Sequence, residues 1–309
     1  MNETWERVRA EVRRVVVGQD DTVDLLLVAA AVGGHVLLEG VPGVAKTLTV
    51  NALARTLGLS FKRIQFTPDM LPSDVTGTMT LRGGELAFRP GPVFASVLLA
   101  DEINRTPPKT QAALLEAMQE QQVTVDGVSH PLPEPFLVAA TQNPIEYEGT
   151  YPLPEAQLDR FLFRIVIGYL TSEDELAILG LAHRGVRPST LESLQPVATA
   201  QMIAEAGREI DLTVVSTEVL AYLADVVRAT RELPSVELGA SPRAGGQLAA
   251  ASRAAARLAG RDFVTPDDVA GMAEPVLAHR LVLRPEAELD RFTAADAVRA
   301  AVAAVPVPR

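Results

Sequence analysis

The stretch "LLEGVPGVAKTLT", residues 37–49, runs from an apolar segment into a glycine-containing loop. It contains most of the phosphate-loop pattern, in which a glycine and four further residues precede Gly-Lys-Ser/Thr. Gly40 opens the loop and Lys46-Thr47 close it, but position 45 is alanine where the pattern has glycine. Taken alone, the loop is a functional phosphate site, a degenerate one or a chance match.

The segments on either side of the loop favour a functional site. The apolar run "HVLLEG" (35–40) predicts a buried strand, and "KTLTVNALARTLG" (46–58) predicts a helix that ends at Gly58. A strand, a loop and a helix in this order direct backbone N–H groups and a helix N-terminus at phosphate. The predicted phosphate-binding residues are Gly40, Val41, Pro42, Gly43, Val44, Ala45, Lys46, Thr47 and Leu48.

Ala45 is expected to adopt a positive φ. Phosphate loops turn successive N–H groups inward by alternating left- and right-handed residues. With Gly43 left-handed, Ala45 should be left-handed as well, and Lys46 should begin the helix. Alanine pays about 1–2 kcal/mol for that conformation, which a functional site can tolerate. The alternative is a relaxed loop, with Ala45 at negative φ and fewer amides facing the phosphates.

Two further apolar runs end in polar residues that suit ATP chemistry. "SVLLADE" (96–102) delivers Asp101 and Glu102 to the end of a predicted strand, and "PFLVAATQN" (135–143) delivers Asn143. Ligands bind at the carboxyl ends of parallel strands. Asn143 would contact the attacking water or the γ-phosphate; the alternative for it is an Asn-Pro turn.

These residue types match the needs of bound ATP and Mg²⁺. Lys46 can reach the β- and γ-phosphates, while Thr47 and Asp101 can hold Mg²⁺, Asp101 through water. Glu102 can act as general base toward the attacking water. The phosphate loop and the Asp-Glu pair are expected on adjacent strands.

Strands that alternate with helices predict an α/β fold, an αβα sandwich with a parallel sheet, over residues 1–170. Further strand-like runs are "FKRIQF" (61–66) and "FLFRIVIG" (161–168). Two segments interrupt the alternation and read as hairpins, at 77–88 around Gly83-Gly84 and at 122–132 around Asp126-Gly127. From 171 to 309 the patterns are helical throughout, which predicts an all-helical second domain.

Composition excludes several classes of protein. The 309 residues contain no cysteine, which excludes disulfides and thiolate metal sites, and carry a net charge of −11, which argues against non-specific binding to nucleic acid or anionic membrane. No apolar run has membrane-spanning length, and the N-terminus is charged throughout, unlike a secretory signal. A cytoplasmic protein without a membrane segment is the resulting expectation.

The segments "GVPGVAKT", "LLADEINR", "ATQNP", "YPLPEAQLDRF" and "GASPRA", in this order, resemble AAA+ ATPases of the MoxR type. The resemblance extends from residue 15 to residue 282, and alanine before the loop lysine is itself frequent in such proteins. It implies a nucleotide domain followed by a helical lid. It also implies that Lys46 and Thr47 belong to Walker A, Asp101 and Glu102 to Walker B, and that Asn143 is sensor 1.

The resemblance assigns roles to residues outside the sheet as well. Arg160 matches the arginine finger, Arg243 matches sensor 2, and Gly18-Gln19 align with the segment near the adenine. Without the resemblance, Arg160 could equally form a salt bridge with Asp159 or lie at the surface, and Arg243 could be a helix-start arginine. The hairpins resemble the helix-2 insert and the pre-sensor-1 hairpin; otherwise they are surface decoration.

The resemblance also implies an assembly and partners. Such proteins form homo-oligomeric rings, usually hexamers, act as chaperone-like remodellers, and work with proteins that contain von Willebrand factor A domains. Their clients are often metalloenzymes or complexes that need cofactor insertion or activation. The alternatives are a magnesium-chelatase-like or enzyme-activase subunit, a nucleic-acid motor, which the net charge disfavours, and a non-hydrolysing scaffold, which Lys46 and Glu102 disfavour.

Overall fold

The computed structural model of the protein describes residues 2–143, 149–182 and 191–308. Its helices are α1 (Asn2–Val12), α2 (Asp20–Val32), α3 (Lys46–Thr56), α4 (Pro72–Thr76), α5 (Pro108–Glu120), α6 (Glu155–Leu158), α7 (Ser172–Ala182), α8 (Ala200–Asp211), α9 (Thr217–Glu232), α10 (Pro242–Leu258), α11 (Pro266–Leu277), α12 (Pro285–Leu289) and α13 (Ala294–Ala304). Its strands are β1 (Val36–Gly40), β2 (Phe61–Gln65), β3 (Gly77–Arg82), β4 (Glu85–Pro90), β5 (Val97–Asp101), β6 (Gln122–Val125), β7 (Val128–Pro131), β8 (Leu137–Gln142), β9 (Phe163–Ile167), β10 (Val236–Leu238) and β11 (Val282–Leu283).

The central sheet has five strands in the order β2-β5-β8-β1-β9. The pairs β2–β5, β5–β8 and β8–β1 are parallel, which confirms the predicted α/β fold with a parallel sheet. The expectation that the phosphate loop and the Asp-Glu pair lie on adjacent strands is wrong, because β8 lies between β1 and β5. Order along the chain does not determine neighbours in a parallel sheet, since a crossover can leave room for a later strand.

Strands β1 and β5 are buried along their whole length, and β8 is buried except at its last residue. This explains why they read as continuous apolar runs rather than alternating patterns, since helices cover both faces of a parallel sheet. Their carboxyl ends share one edge: Gln65 pairs in register with Asp101, and Glu39 with Gln142. Polar residues that follow these strands are therefore brought together at that edge.

Both predicted hairpins are present. Strands β3 and β4 pair antiparallel around Gly83-Gly84, and β6 and β7 pair around Asp126-Gly127. The rings of Phe88 and His130 stack with centroids 4.0 Å apart and an interplanar angle of 15°. The first hairpin therefore contacts the second through the side chains of Phe88 and His130.

The chain forms two compact units. One consists of Glu3–Leu153 and Ile165–Ala204 and contains the phosphate loop and both hairpins; the other combines Pro154–Arg164 and Glu205–Arg309 with the extreme N-terminus. A domain boundary at residue 170 stays a prediction. Among the described residues, none of the helices has the length and apolar character needed to cross a membrane.

The second unit is built mainly from helices α9, α10, α11 and α13, which confirms the predicted helical region after the sheet. It also contains a short antiparallel ribbon of β10 and β11, which was not expected. Strands of three and two residues are too short to show the alternation by which a strand is recognised in a sequence.

A buried histidine joins β8 to the helix before it. His35 accepts a hydrogen bond at Nδ1 from the Val138 N–H (3.0 Å), and its Nε2–H donates to the Met118 carbonyl (3.2 Å). This arrangement requires the neutral ring, because a protonated Nδ1 cannot accept. Burial lowers the pKa of His35 to about 4, partly offset by the Met118 carbonyl.

Because of His35, the free energy of unfolding is predicted to decrease as the pH is lowered. Its ordinary pKa of 6.5 applies in the unfolded chain, so between pH 6.5 and about 4 the unfolded state binds more protons than the folded state. The contribution of His35 to stability is therefore present above pH 6.5 and is lost as the pH falls. Between pH 7.5 and 4.5 the loss should be roughly 2–3 kcal/mol.

Urea unfolding of the parent protein and of His35→Leu at these two pH values isolates the effect, because all other titrating groups are common to both proteins. The variant should be less stable at pH 7.5 but should show a smaller pH dependence. An equal pH dependence in the two proteins would contradict the assignment of a neutral, buried His35.

Candidate nucleotide site

The loop between β1 and α3 has the backbone predicted for a phosphate nest. Gly43 has a φ of 90° and Ala45 a φ of 63°, and α3 begins at Lys46. The prediction that Ala45 is left-handed is therefore confirmed. Lys46 Nζ donates to the Gly40 carbonyl over 2.5 Å, so the ammonium lies across the mouth of the loop. The site thus combines a helix N-terminus, left-handed turns and a cation, all of which favour an anion.

Gly40 is required by close packing rather than by its φ. A Cβ at this position would lie 2.5 Å from the carbonyl oxygen of Ile167, at the end of β9. Backbone cannot move aside as a flexible side chain can, so a larger residue would displace β1 or β9. The glycine lets the loop leave the sheet directly beside β9.

Asp101 is buried at the end of β5, and both of its carboxylate oxygens accept hydrogen bonds. Arg63 donates to Oδ2 from Nε (3.0 Å) and Nη2 (2.6 Å), and the Thr141 hydroxyl donates to Oδ1 (2.6 Å). These contacts fix the orientation of the carboxylate.

Glu102 leaves the strand in a left-handed conformation, with a φ of 56°. Its N–H donates to the Thr141 hydroxyl (2.9 Å), so one threonine positions both acidic residues. The Glu102 carboxylate accepts from Gln65 (2.7 Å) and pairs with Arg105 (2.9 Å). Action on a water molecule would require Glu102 to exchange at least one of these contacts.

Asn143 follows β8 directly and is buried. Because β8 lies between β1 and β5, Asn143 emerges between the loop and the Asp101–Glu102 pair. Pro144 lies outside the described residues, so the alternative of an Asn-Pro turn concerns a segment that the structure does not describe.

The donor set around Thr47 and Asp101 suits Mg²⁺. Over residues 2–143, 149–182 and 191–308, no group of three or more His, Cys, Asp or Glu side chains is placed to hold a metal ion. One hydroxyl and one carboxylate beside a phosphate nest are nevertheless what Mg²⁺ uses when phosphates and waters complete its shell. The residues present therefore suit a Mg²⁺ ion that is bound together with a nucleotide, rather than a metal ion held by protein ligands alone.

Gly18 and Gln19 precede α2 in the same unit. Gly18 has a φ of 69°, and a Cβ there would lie 2.7 Å from the Asp174 carboxylate and 2.8 Å from Leu170. Gln19 is buried, and its side-chain oxygen accepts from the Thr22 hydroxyl (2.9 Å). The segment is thus packed tightly against the residues at the start of α7.

The two predicted arginines both belong to the other unit. Arg160 is half-buried just after α6, where its N–H donates to the Gln157 carbonyl (3.2 Å). Arg243 is exposed in the first turn of α10. The carboxylate of Asp159 is paired with Arg280 over 2.7 Å.

Sequence reasoning missed three residues that shape the acidic pair, namely Arg63, Gln65 and Thr141. Arg63 and Gln65 alternate along β2 and contact Asp101 and Glu102. The alternation was visible in "FKRIQF", but its polar face could not be assigned to β5 without the strand order. Thr141 lies within an apolar run, so its contacts with the acidic pair could not be predicted from the sequence.

The chain matches known families over both units. Residues 35–163 match the ATPase family associated with various cellular activities (AAA), and residues 228–301 match the AAA lid domain. The chaperone MoxR1 of Mycobacterium tuberculosis is 45% identical over 317 residues, covering 99% of this chain and 83% of that protein. The chain belongs to the MoxR family of AAA+ ATPases. Membership of this family implies nucleotide binding.

Two further relatives match along nearly the whole chain. The uncharacterized protein YeaC of Bacillus subtilis is 49% identical over 299 residues, covering 96% of this chain and 92% of that protein. The crystal structure of a Cytophaga hutchinsonii protein superposes with a TM-score of 0.92 at 41% identity, covering 100% of this chain and 96% of the other. The MoxR-type fold therefore extends over both units.

The left-handed Ala45 predicts opposite effects for two substitutions at that position. Ala45→Gly should bind ATP at least as tightly as the parent protein, because glycine reaches positive φ without strain. Ala45→Val should weaken binding, since a β-branched residue is poorly tolerated there. Titration with a fluorescent ATP analogue measures both affinities. Weaker binding by Ala45→Gly together with unchanged binding by Ala45→Val would mean that the loop binds phosphate with a relaxed backbone.

Proposed function

We propose that the chain hydrolyses ATP to ADP and phosphate in a Mg²⁺-dependent reaction. The observation that carries this proposal is the meeting, at one edge of the sheet, of an anion nest with the Asp101–Glu102 pair. A phosphate nest alone would bind anions, and an acidic pair alone could cap a helix. Phosphoryl transfer needs both, because it requires a held polyphosphate and a group that activates water.

Each residue at this edge has a separate task. The amides of residues 40–48 and the Lys46 ammonium hold the phosphates, while Thr47 and Asp101 provide oxygen ligands for Mg²⁺. When bound, Mg²⁺ neutralises charge on the phosphate oxygens. Glu102 accepts a proton from the attacking water, and the Asn143 amide orients that water or the γ-phosphate. Gly18 and Gln19 border the adenine.

Arg160 and Arg243 complete the site as an arginine finger and sensor 2. Negative charge spreads over the γ-phosphoryl oxygens in the transition state, and a cation placed there lowers the barrier. We propose that Arg160 acts on the nucleotide of a neighbouring subunit in a homo-oligomeric ring, hexameric as in its family. The proposed domains are a sheet domain that binds ATP, residues 1–170, and a helical lid, residues 171–309.

The proposed biological role is chaperone-like remodelling of partner proteins. The two hairpins support it, because Leu81 and Leu86 on the first and Val128 on the second are exposed apolar side chains. Surface of this kind is suited to contacts with other proteins. The homologue named chaperone MoxR1 points the same way. A partner with a von Willebrand factor A domain, and clients that need cofactor insertion or activation, complete the proposal. A magnesium-chelatase-like or enzyme-activase role is the second candidate.

Substitutions at Lys46 and Glu102 should separate binding from turnover. Lys46→Ala should abolish hydrolysis by weakening ATP binding, because it removes a ground-state contact. Glu102→Gln should keep ATP binding and lose turnover, because it removes a group that acts in the transition state. Phosphate release and nucleotide titration measure the two properties, and Lys109→Ala, an exposed lysine on α5, serves as the control. Wild-type turnover by Glu102→Gln would eliminate Glu102 as the base.

A finger supplied by a neighbour makes hydrolysis depend on assembly. Specific activity should rise with protein concentration, and Arg160→Ala should lower kcat by roughly 10³-fold or more. Mixing Arg160→Ala with Lys46→Ala should restore some activity, since a hybrid interface can join an intact ATP site to an intact finger. Co-assembled mixtures that remain inactive would place Arg160 in its own subunit's site or in a structural role.

A further inference from the structure

Arg280 lies at the centre of the unit that carries Arg160 and Arg243. It ends the short 3-10 turn Ala278–Arg280 after α11, and its side chain is only 2% exposed. No role was assigned to it from the sequence. A buried guanidinium carries five N–H donors in a plane, so its acceptors show which segments it holds together.

The acceptors belong to three separate segments of the unit. Nε donates to the Asp159 carboxylate (2.7 Å), and Nη2 donates to the carbonyls of Asp159 (3.3 Å) and Phe161 (2.5 Å). The remaining contacts go to the Leu162 carbonyl (3.4 Å), the Val276 carbonyl and the Gln247 side chain. Arg280 and these five acceptor residues are referred to below as the Arg280 cluster.

Arg280 contacts the backbone on both sides of Arg160. The carbonyls on either side of Arg160, those of Asp159 and Phe161, both accept from the same guanidinium. His279 adds a second contact to the Phe161 carbonyl (3.1 Å). The position from which the Arg160 side chain starts is therefore set by Arg280.

The same guanidinium also holds the helix that carries Arg243. Gln247 lies one turn after Arg243 on α10 and accepts from Arg280. Burial, with a smaller contribution from the nearby charge of Arg243, lowers the pKa of Arg280 to about 10 against the opposing effect of Asp159. Arg280 thus stays protonated at neutral pH, and Arg243 lies close enough for the two charges to interact.

We propose that Arg280 is a positioning residue that holds Arg160 and Arg243 in one fixed arrangement, so that both arginines are presented together to a nucleotide. Arg280 itself does not contact the nucleotide. The proposal rests on the proposed function of Arg160 as a finger. It requires arginine in particular, because lysine keeps the charge but offers donors from one point and cannot reach three segments at once.

Arg280→Lys should lower kcat by about 10²-fold, as expected for a misplaced catalytic group, with little change in KM for ATP. ATP binding and ring assembly should be unaffected. Asp159→Asn keeps an acceptor for Nε and should lower kcat less. Arg261→Lys is the matched control, because Arg261 forms a 2.6 Å ion pair with buried Asp268 in the same unit. It should lower thermal stability and leave kcat unchanged.

Mixing experiments distinguish positioning of the finger from a general structural role. Arg280→Lys mixed with Lys46→Ala should regain activity, because the second protein supplies an intact finger to the intact ATP site of the first. Arg280→Lys mixed with Arg160→Ala should regain none, because both lack a working finger. Asp159→Asn should likewise be rescued by Lys46→Ala and not by Arg160→Ala. This second variant keeps the proposal testable if Arg280→Lys does not fold.

The mixture of Arg160→Ala and Lys46→Ala separates the two proposals. Its failure in co-assembled rings would refute the trans finger itself. If this mixture regains activity but the mixture of Arg280→Lys with Lys46→Ala does not, only the proposed role of Arg280 is refuted. Rescue between Arg280→Lys and Arg160→Ala, or wild-type kcat in both Arg280→Lys and Asp159→Asn, would overturn it as well.

Discussion

The left-handed turn at Ala45 is the constraint on which the nucleotide site depends. It lets α3 begin at Lys46 with its first amides directed into the loop, and it costs about 1–2 kcal/mol for a residue with a side chain. Gly40 makes this geometry possible, since only a residue without a Cβ fits against the Ile167 carbonyl. Phosphate bound as proposed would offset the strain, because N–H groups aimed at an anion form charge-assisted hydrogen bonds.

The order of the strands in the sheet determines how the rest of the site is arranged. With β8 between β1 and β5, the residues of three strand ends meet at one edge, and Thr141 on β8 contacts both Asp101 and Glu102. Glu102 is a second non-glycine residue at positive φ. Of the five non-glycine residues at positive φ among those described, Ala45 and Glu102 are the two with proposed chemical roles, and the buried sheet around them supplies the stability that such strain requires.

The sequence predicted those features that depend on local patterns. The phosphate loop, the conformation of Ala45, the buried strands and both hairpins all follow from spacing, apolar runs and turn residues. The strand order did not follow, and neither did the contacts of Arg63, Gln65 and Thr141, because each depends on which strands become neighbours. The Arg280 cluster was hidden for the same reason: 121 residues separate Arg280 from Asp159. Long-range polar contacts leave no periodic signal.

The most direct test of this account is a structure of the Glu102→Gln protein determined with ATP and Mg²⁺. The account predicts β- and γ-phosphates within hydrogen-bond distance of the loop amides and Lys46, Ala45 still at positive φ, and the cation on the side of Thr47 and Asp101. Nucleotide bound away from residues 40–48, or bound there with Ala45 at negative φ, would contradict it.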